Sequence, residues 1–240
     1  MLFKNLAFKK FKLAMLDIAL FNNFDYELAM NEYSQLLTED NLVIKKYLIS
    51  ANKSKKYSTG ISSYKSLGQN EYGQEVFDEY LKLLFLNRNF DTLFKELSNC
   101  NSQTCIKLKL SLNILDGSLI QTTKLEDFPK LKSAFLYGNM YKKKSPIIAG
   151  IASSLFPGSG KLYTGYKKDG IVSFLFVGLN SYLSYRGFKK RGVKSGFGWV
   201  YSFAGLSFYL GNIYGSYKSA KTRNKKLQKH LNEKLDNIFN

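Results

Sequence analysis

SPIIAGIASSLFPGSG (Ser145 to Gly160), GIVSFLFVGLNSYLSY (Gly170 to Tyr185) and SGFGWVYSFAGLSFYLGNIYGSY (Ser195 to Tyr217) are charge-free stretches of 16, 16 and 23 residues. Between them stand Lys161, Lys167, Lys168 and Asp169, then Arg186, Lys189, Lys190, Arg191 and Lys194, so nearly every charge bordering the apolar runs is positive. That placement is expected of side chains that meet phospholipid headgroups at the ends of membrane-embedded helices. At ~1.5 Å per residue the longest stretch extends about 35 Å and the shorter ones about 24 Å, against a hydrocarbon core of roughly 30 Å. Only the third clearly reaches spanning length. The reading is an all-α protein whose C-terminal part, residues 141–217, forms a membrane helical hairpin. It fixes a location and an architecture, not an activity.

The charge map separates this region from the rest. Residues 1–140 hold 18 Lys and Arg against 15 Asp and Glu, whereas residues 141–240 hold 18 against 3. Thirteen of the 18 glycines also follow residue 140, where close backbone contact between membrane helices favours them. A boundary near Tyr141 follows. A strongly basic chain with 17 Tyr and 19 Phe could instead bind single-stranded nucleic acid by phosphate pairing and base stacking. The clustering of cations at the ends of apolar runs favours anionic lipid headgroups and makes nucleic acid the weaker reading. Met1 to Phe21 opens with Lys4, Lys9, Lys10 and Lys12 but is interrupted by Asp17, so it imitates an export signal poorly and points to a cytoplasmic first domain.

In residues 1–140 apolar positions recur at helical spacing, with one proline, Pro129. The pattern at Tyr26, Ala29, Met30, Tyr33 and Leu36 returns at Tyr57, Gly60, Ile61, Tyr64 and Leu67, and again at Phe90, Leu93, Phe94 and Leu97. These segments resemble the second helix of tetratricopeptide repeats, which reads aromatic-x-x-small-apolar with a period of ~34. The resemblance implies paired helices stacked into an array with a concave protein-binding surface. The small residue lets paired helices approach closely, so Leu93 should splay its pair or mark the end of the array. Further helices are expected at Cys105 to Leu115 and Pro129 to Tyr141, with a turn at Asp116-Gly117.

Within the hydrophobic part, Pro157-Gly158 should end a helix from Pro146 at Phe156. Gly150, Ser154 and Gly158 form one small-residue stripe, and Ser207, Gly211, Gly215 and Ser219 form a second that should be the hairpin's packing face. Asp169 is a candidate N-cap for the second stretch, and Asn180 and Asn212 could pair across the hairpin. Pro157, Gly158, Gly160, Tyr163 and Gly165 spell Pro-Gly-x-Gly-x-x-Tyr-x-Gly. With Gly211 to Gly215, they resemble a hydrophobic module that follows tetratricopeptide-like repeats in bacterial envelope proteins of undefined role. They are similar more loosely to small two-helix membrane domains with a Pro-Gly-x-Gly turn. Beyond it, residues 218–240 form a basic amphipathic tail, with Leu227, Leu231, Leu235, Ile238 and Phe239 at helical spacing, able to lie on a membrane surface.

Catalytic chemistry finds little support. Gly158-Ser-Gly160-Lys161 lacks the glycine and hydroxyl that a phosphate-binding loop needs at the positions of Leu155 and Leu162. The lone histidine, His230, lies in the tail, and Asp169 is the one acid between Asp127 and Glu233, so no acid–base pair is available there. No cofactor or metal is expected: Glu75, Asp78 and Glu79 read as a solvated helix face. Cys100 and Cys105 read as junction thiols in the cytoplasm, or a local disulfide if the domain faces an oxidising compartment.

The sequence therefore predicts a non-enzymatic, membrane-anchored adaptor: a repeat domain that binds a protein partner, on a module that holds lipid and can self-associate. The alternatives are a soluble nucleic-acid-binding protein and a membrane enzyme or transporter component. If the first stretch only dips into the bilayer, the two flanks of the hairpin carry 13 basic residues and its loop 5, which favours cytoplasmic termini at a bacterial inner membrane. A periplasmic repeat domain is the alternative.

Overall fold

A computed structural model describes residues 24–37, 40–68, 72–118 and 125–240. The opening segment, Met1 to Phe21, lies outside the described residues. The fold is all-helical, with no strand among the described residues. In chain order the helices are α1 (Tyr26–Gln35), α2 (Asn41–Lys53), α3 (Tyr57–Ser66), α4 (Gln74–Leu86), α5 (Phe90–Leu97), α6 (Gln103–Asp116), α7 (Pro129–Met140), α8 (Pro146–Leu155), α9 (Ser159–Tyr163), α10 (Lys167–Arg191) and α11 (Gly196–Phe239). They fall into two compact units. The first comprises the described residues up to Phe135 together with Glu233–Asn240, and the second Leu136–Asn232. The boundary expected near Tyr141 thus falls slightly earlier, and the last eight residues belong with the repeats.

In the first unit the three aromatic repeat starts, Tyr26, Tyr57 and Phe90, are each the first residue of a helix. Two residues before each stands a non-glycine residue with positive φ: Phe24 (54°), Lys55 (59°) and Arg88 (59°). The geometry around two of them is the same. The Lys55 and Lys56 amides donate to the carbonyls of Asn52 and Ala51, and the Arg88 and Asn89 amides to those of Phe85 and Leu84. These are the paired 5→2 and 6→1 bonds that close a helix in a left-handed turn. Each turn folds a 13-residue helix back onto a shorter one. Side-chain caps start α1, α2 and α6: Asp25 accepts from the Leu28 amide, Asp40 from Leu42 and Ser102 from Cys105. Tyr33, Tyr47, Leu48, Leu81, Leu84 and Leu93 fill a fully buried apolar core. Phe239 joins it, its ring 5.0 Å from Phe85, while its carbonyl accepts from Asn52.

In the second unit α8 ends as the Pro157 signal requires, with Phe156 as its C-cap, after only ten residues. The second charge-free stretch lies inside a longer helix, the 25-residue α10, and the third opens the 44-residue α11, which continues through the tail. No helix among the described residues is long and apolar enough to cross a membrane. The reason is visible in α10 and α11, where Gly, Ser, Tyr and Asn interleave with Phe, Leu and Val. The tail departs from expectation. Leu227, Leu231, Leu235 and Phe239 are all buried, so its apolar stripe is covered by the protein itself rather than left for a membrane surface.

Candidate functional site

Polarity is inverted between the two units. The first buries Ile, Leu, Val and aromatic side chains, with Ser50, Asn52 and Ser111 as the polar exceptions among its buried described residues. From residue 145 to 220 the second buries Ser153, Thr164, Asn180, Ser184, Ser195, Asn212 and Ser216, and among apolar side chains only Ala149, Val177 and Ala220. Its large apolar side chains point outward: Ile147 and Ile151 on α8, Phe174 and Leu175 on α10, Phe203 and Leu210 on α11, among others, are all exposed. Monomers in water rarely present so broad an apolar surface.

The Pro-Gly-x-Gly-x-x-Tyr-x-Gly segment is the knot that holds this unit. Gly158, with φ of 88°, starts α9 beside Gly170, where an added Cβ would lie 2.1 Å from the Gly170 carbonyl oxygen. At Gly160 an added Cβ would lie 1.9 Å from the carbonyl oxygen of Ala149. No side chain fits at either position. The Gly160 amide donates to Ser153 Oγ at 2.9 Å, and Ser153 in turn bonds Ser216 of α11 at 2.7 Å. Tyr163 accepts from the Ser145 amide at 3.3 Å, with the Lys144 ammonium 4.5 Å above its ring. Gly165, with φ of 90°, turns the chain into α10.

Hydroxyls continue the seam between helices. Thr164 bonds Ser219 at 2.8 Å, Ser184 meets Ser202 and the Gly198 carbonyl, and Tyr209 donates to the Ser154 carbonyl at 2.7 Å. Asn224 accepts from the Lys144 amide and donates to its carbonyl. The tightest crossing of α10 and α11 is at Gly187 and Gly198, where an added Cβ on Gly187 would lie 2.7 Å from the Gly198 nitrogen.

Several expected contacts lie elsewhere. Gly150 and Gly211 have no atom within 4 Å of an added Cβ, so the close approach of the first stripe is at Gly158 against Gly170, and Gly215 of the second faces the Lys161 side chain. Ser207 and Gly211 line a groove between α10 and α11. Asn180 donates to its own helix at Phe176 rather than to Asn212, whose amide has no partner. Asp169 is not a cap: α10 begins two residues earlier, with Tyr166 as N-cap, and Asp169 sits in its first turn. The sequence missed the Gly187–Gly198 crossing because glycines are too frequent there for spacing alone to single out a pair.

In the first unit Ala29 and Tyr33 are buried, and Gly60 abuts both Leu83 and Ala51. Leu93, in the place of the small residue, is fully buried. Tyr64 stacks on Tyr80 at 4.2 Å. Burial pushes the Tyr80 hydroxyl up to about 12, helped by Glu96 and Tyr64. Burial also raises the Asp236 carboxyl, and the Arg88 guanidinium bonded to it at 2.7 Å pulls it back. Cys100 and Cys105 are joined in a disulfide. Asp78 approaches the sulfurs and accepts from Ser102 and Gln74. With the sulfurs bonded to each other, that cluster offers a metal no thiolate.

Comparisons with known proteins give no match: no family model, curated protein or solved structure is significantly similar to this chain.

Proposed function

We propose that the protein is a membrane-anchored helical-repeat adaptor, in which residues 145–217 are solvated by lipid and the first unit binds a protein partner. The single observation that carries the reading is the inverted polarity of the second unit. Water drives apolar side chains inward, whereas lipid removes that drive and leaves small and hydrogen-bonding residues to hold helices together. Serine, threonine and glycine line the contacts of that unit, and its phenylalanines and leucines face out. In this reading α10 and the first half of α11 form the hairpin, and their outward faces together supply the apolar surface that neither helix carries all round. Lysine and arginine at both ends of α10 meet the headgroups.

The adaptor role rests on the repeat geometry. Helical pairs that must stack on their neighbours present an extended face suited to a protein partner. A non-catalytic role follows from the absence of any acid–base arrangement in residues 141–232, where Asp169 is the one carboxylate side chain. Placement at a bacterial inner membrane with cytoplasmic termini follows from the distribution of basic residues. The disulfide favours the alternative, a repeat domain facing an oxidising compartment.

Membrane fractionation tests the proposal. The protein should stay with the membrane pellet in high salt and in alkaline carbonate. Release into the supernatant, together with salt-dependent retention on single-stranded DNA, would replace it with the nucleic-acid reading.

A further inference from the structure

Within the second unit one groove combines features that an inert helix contact does not need. It lies among α9, α10 and α11, encloses about 290 Å³, and has Val172, Phe176 and Phe208 as apolar walls, the two rings 5.2 Å apart. Lys161 reaches into it from α9 and donates to Ser173 of α10 at 2.7 Å. The stem of Lys161 runs beside Gly215, where an added Cβ would lie 3.4 Å from Lys161 Cε, and open space at Gly211 keeps the groove clear. Asn212, only 3 % exposed, also lines it, and both the nitrogen and the oxygen of its amide are buried without a partner.

Each feature has a cost that a ligand would remove. A buried amide with neither bond made is destabilising by ~1–3 kcal/mol. Lys161, half-buried in a groove with phenyl and valine walls, carries an ammonium bonded to the neutral Ser173 hydroxyl. Among the described residues no carboxylate pairs with Lys161, and Asp169, the one acid of the second unit, makes no ion pair. The helices that form the groove, α10 and α11, carry exposed apolar side chains, Ile171, Leu175 and Leu210 among them.

We infer that this groove binds the phosphate-bearing headgroup of an anionic phospholipid, with Lys161 and Ser173 on the phosphate, Asn212 on the polar head, and an acyl chain along Val172, Phe176 and Phe208. The inference rests on the membrane reading above and deepens it, giving the lipid surface one specific seat. A phosphate oxygen supplies the negative charge that Lys161 lacks. A glycerol or hydroxyl-bearing head supplies both donor and acceptor to the amide. The apolar walls select a lipid over free phosphate, because an inorganic ion would leave them bare.

The test uses the full chain in uncharged detergent, measuring the melting temperature with added phosphatidylglycerol, phosphatidylcholine or inorganic phosphate. Phosphatidylglycerol at saturating ratio should raise it by about 5 °C or more, and phosphatidylcholine and phosphate should not. Lys161→Gln should abolish the rise, whereas Lys167→Gln with Lys168→Gln, which removes more charge from the same region, should keep it. Asn212→Leu should raise the lipid-free melting temperature by removing the orphaned amide, and should lose most of the phosphatidylglycerol effect. A purely structural Asn212 would give a lower lipid-free value. An equal response to phosphatidylglycerol in wild type and Lys161→Gln overturns the site, as does an equal response to inorganic phosphate. Flotation of the same variants on phosphatidylcholine vesicles is read separately. Wild type that floats without a lipid-specific rise refutes the groove alone, and wild type that never floats refutes the membrane reading.

Discussion

Replacing Gly60 by alanine places one methyl group where α3 crosses its partner helices. The new Cβ would stand 2.7 Å from Leu83 Cδ1 and 2.9 Å from Ala51 Cβ. The leucine methyl ends a flexible side chain and can turn aside. The Ala51 Cβ is fixed to the backbone of α2, so the helices must part by roughly 0.6 Å to reach an ordinary carbon contact of about 3.5 Å. Overpacking of this kind costs about 1–3 kcal/mol, while exchanging glycine for alanine in a helix returns about 1 kcal/mol. The net expectation is a loss of up to about 2 kcal/mol, confined to the α2–α4 region. Hydrogen exchange read by mass spectrometry on peptides from residues 41–86 isolates that region from the second unit. Exchange of the slowest amides should accelerate by up to about 30-fold. Adding Ala51→Gly should recover part of the loss, with a coupling of at least about 1 kcal/mol in the double-mutant cycle. Slower exchange in Gly60→Ala alone would mean that helix propensity wins, refuting the reading of Gly60 as the residue that lets α2 and α3 close on each other.

Three further outcomes follow. Lys55→Gly, at an exposed residue held with φ of 59°, should slow exchange in the same peptides by a factor corresponding to about 0.5–1 kcal/mol, since glycine accepts the left-handed region without strain. Asp236 has its carboxyl raised by burial, so its contribution to stability is fully present below its ordinary pKa and is lost as pH rises through the raised value. Wild type should therefore gain stability relative to Asp236→Asn between pH 7 and pH 4 in urea titrations, and a relative loss would reverse the assigned balance of burial over Arg88. Gly187→Leu should lower the melting temperature in detergent by several degrees because the side chain would enter the α11 backbone at Gly198, whereas Gly178→Leu, with open space around it, should leave it unchanged.

Features written in side-chain pattern were legible in the sequence, and features written in backbone geometry were not. The helix starts at Tyr26, Tyr57 and Phe90 were found because an aromatic at each first position repeats with its buried partners. The left-handed turns at Phe24, Lys55 and Arg88 were invisible, because none carries the glycine that usually marks such a turn. Pro157 announced the end of α8 correctly, since it removes a donor and blocks the next helical turn. The limits of α10 were misjudged from charge. Lysine and arginine are good helix formers, so the helix runs through Lys167 and Lys168 at one end and on to Arg191 at the other. In the tail the spacing of Leu227, Leu231, Leu235 and Phe239 identified a buried stripe, but spacing carries no information on whether protein or lipid covers it. The groove at Lys161 and Asn212 was equally hidden, because its residues come from three helices and form no local motif.

Trp199 is the chain's single tryptophan, exposed near the start of α11, with its indole nitrogen donating to the Val193 carbonyl. Its fluorescence in reconstituted vesicles therefore reports the solvent around the start of α11 without interference from another indole. Phosphatidylcholine brominated on its acyl chains should quench that emission strongly, and aqueous iodide should quench it weakly. Full quenching by iodide with no response to the brominated lipid would place the second unit in water and contradict the account.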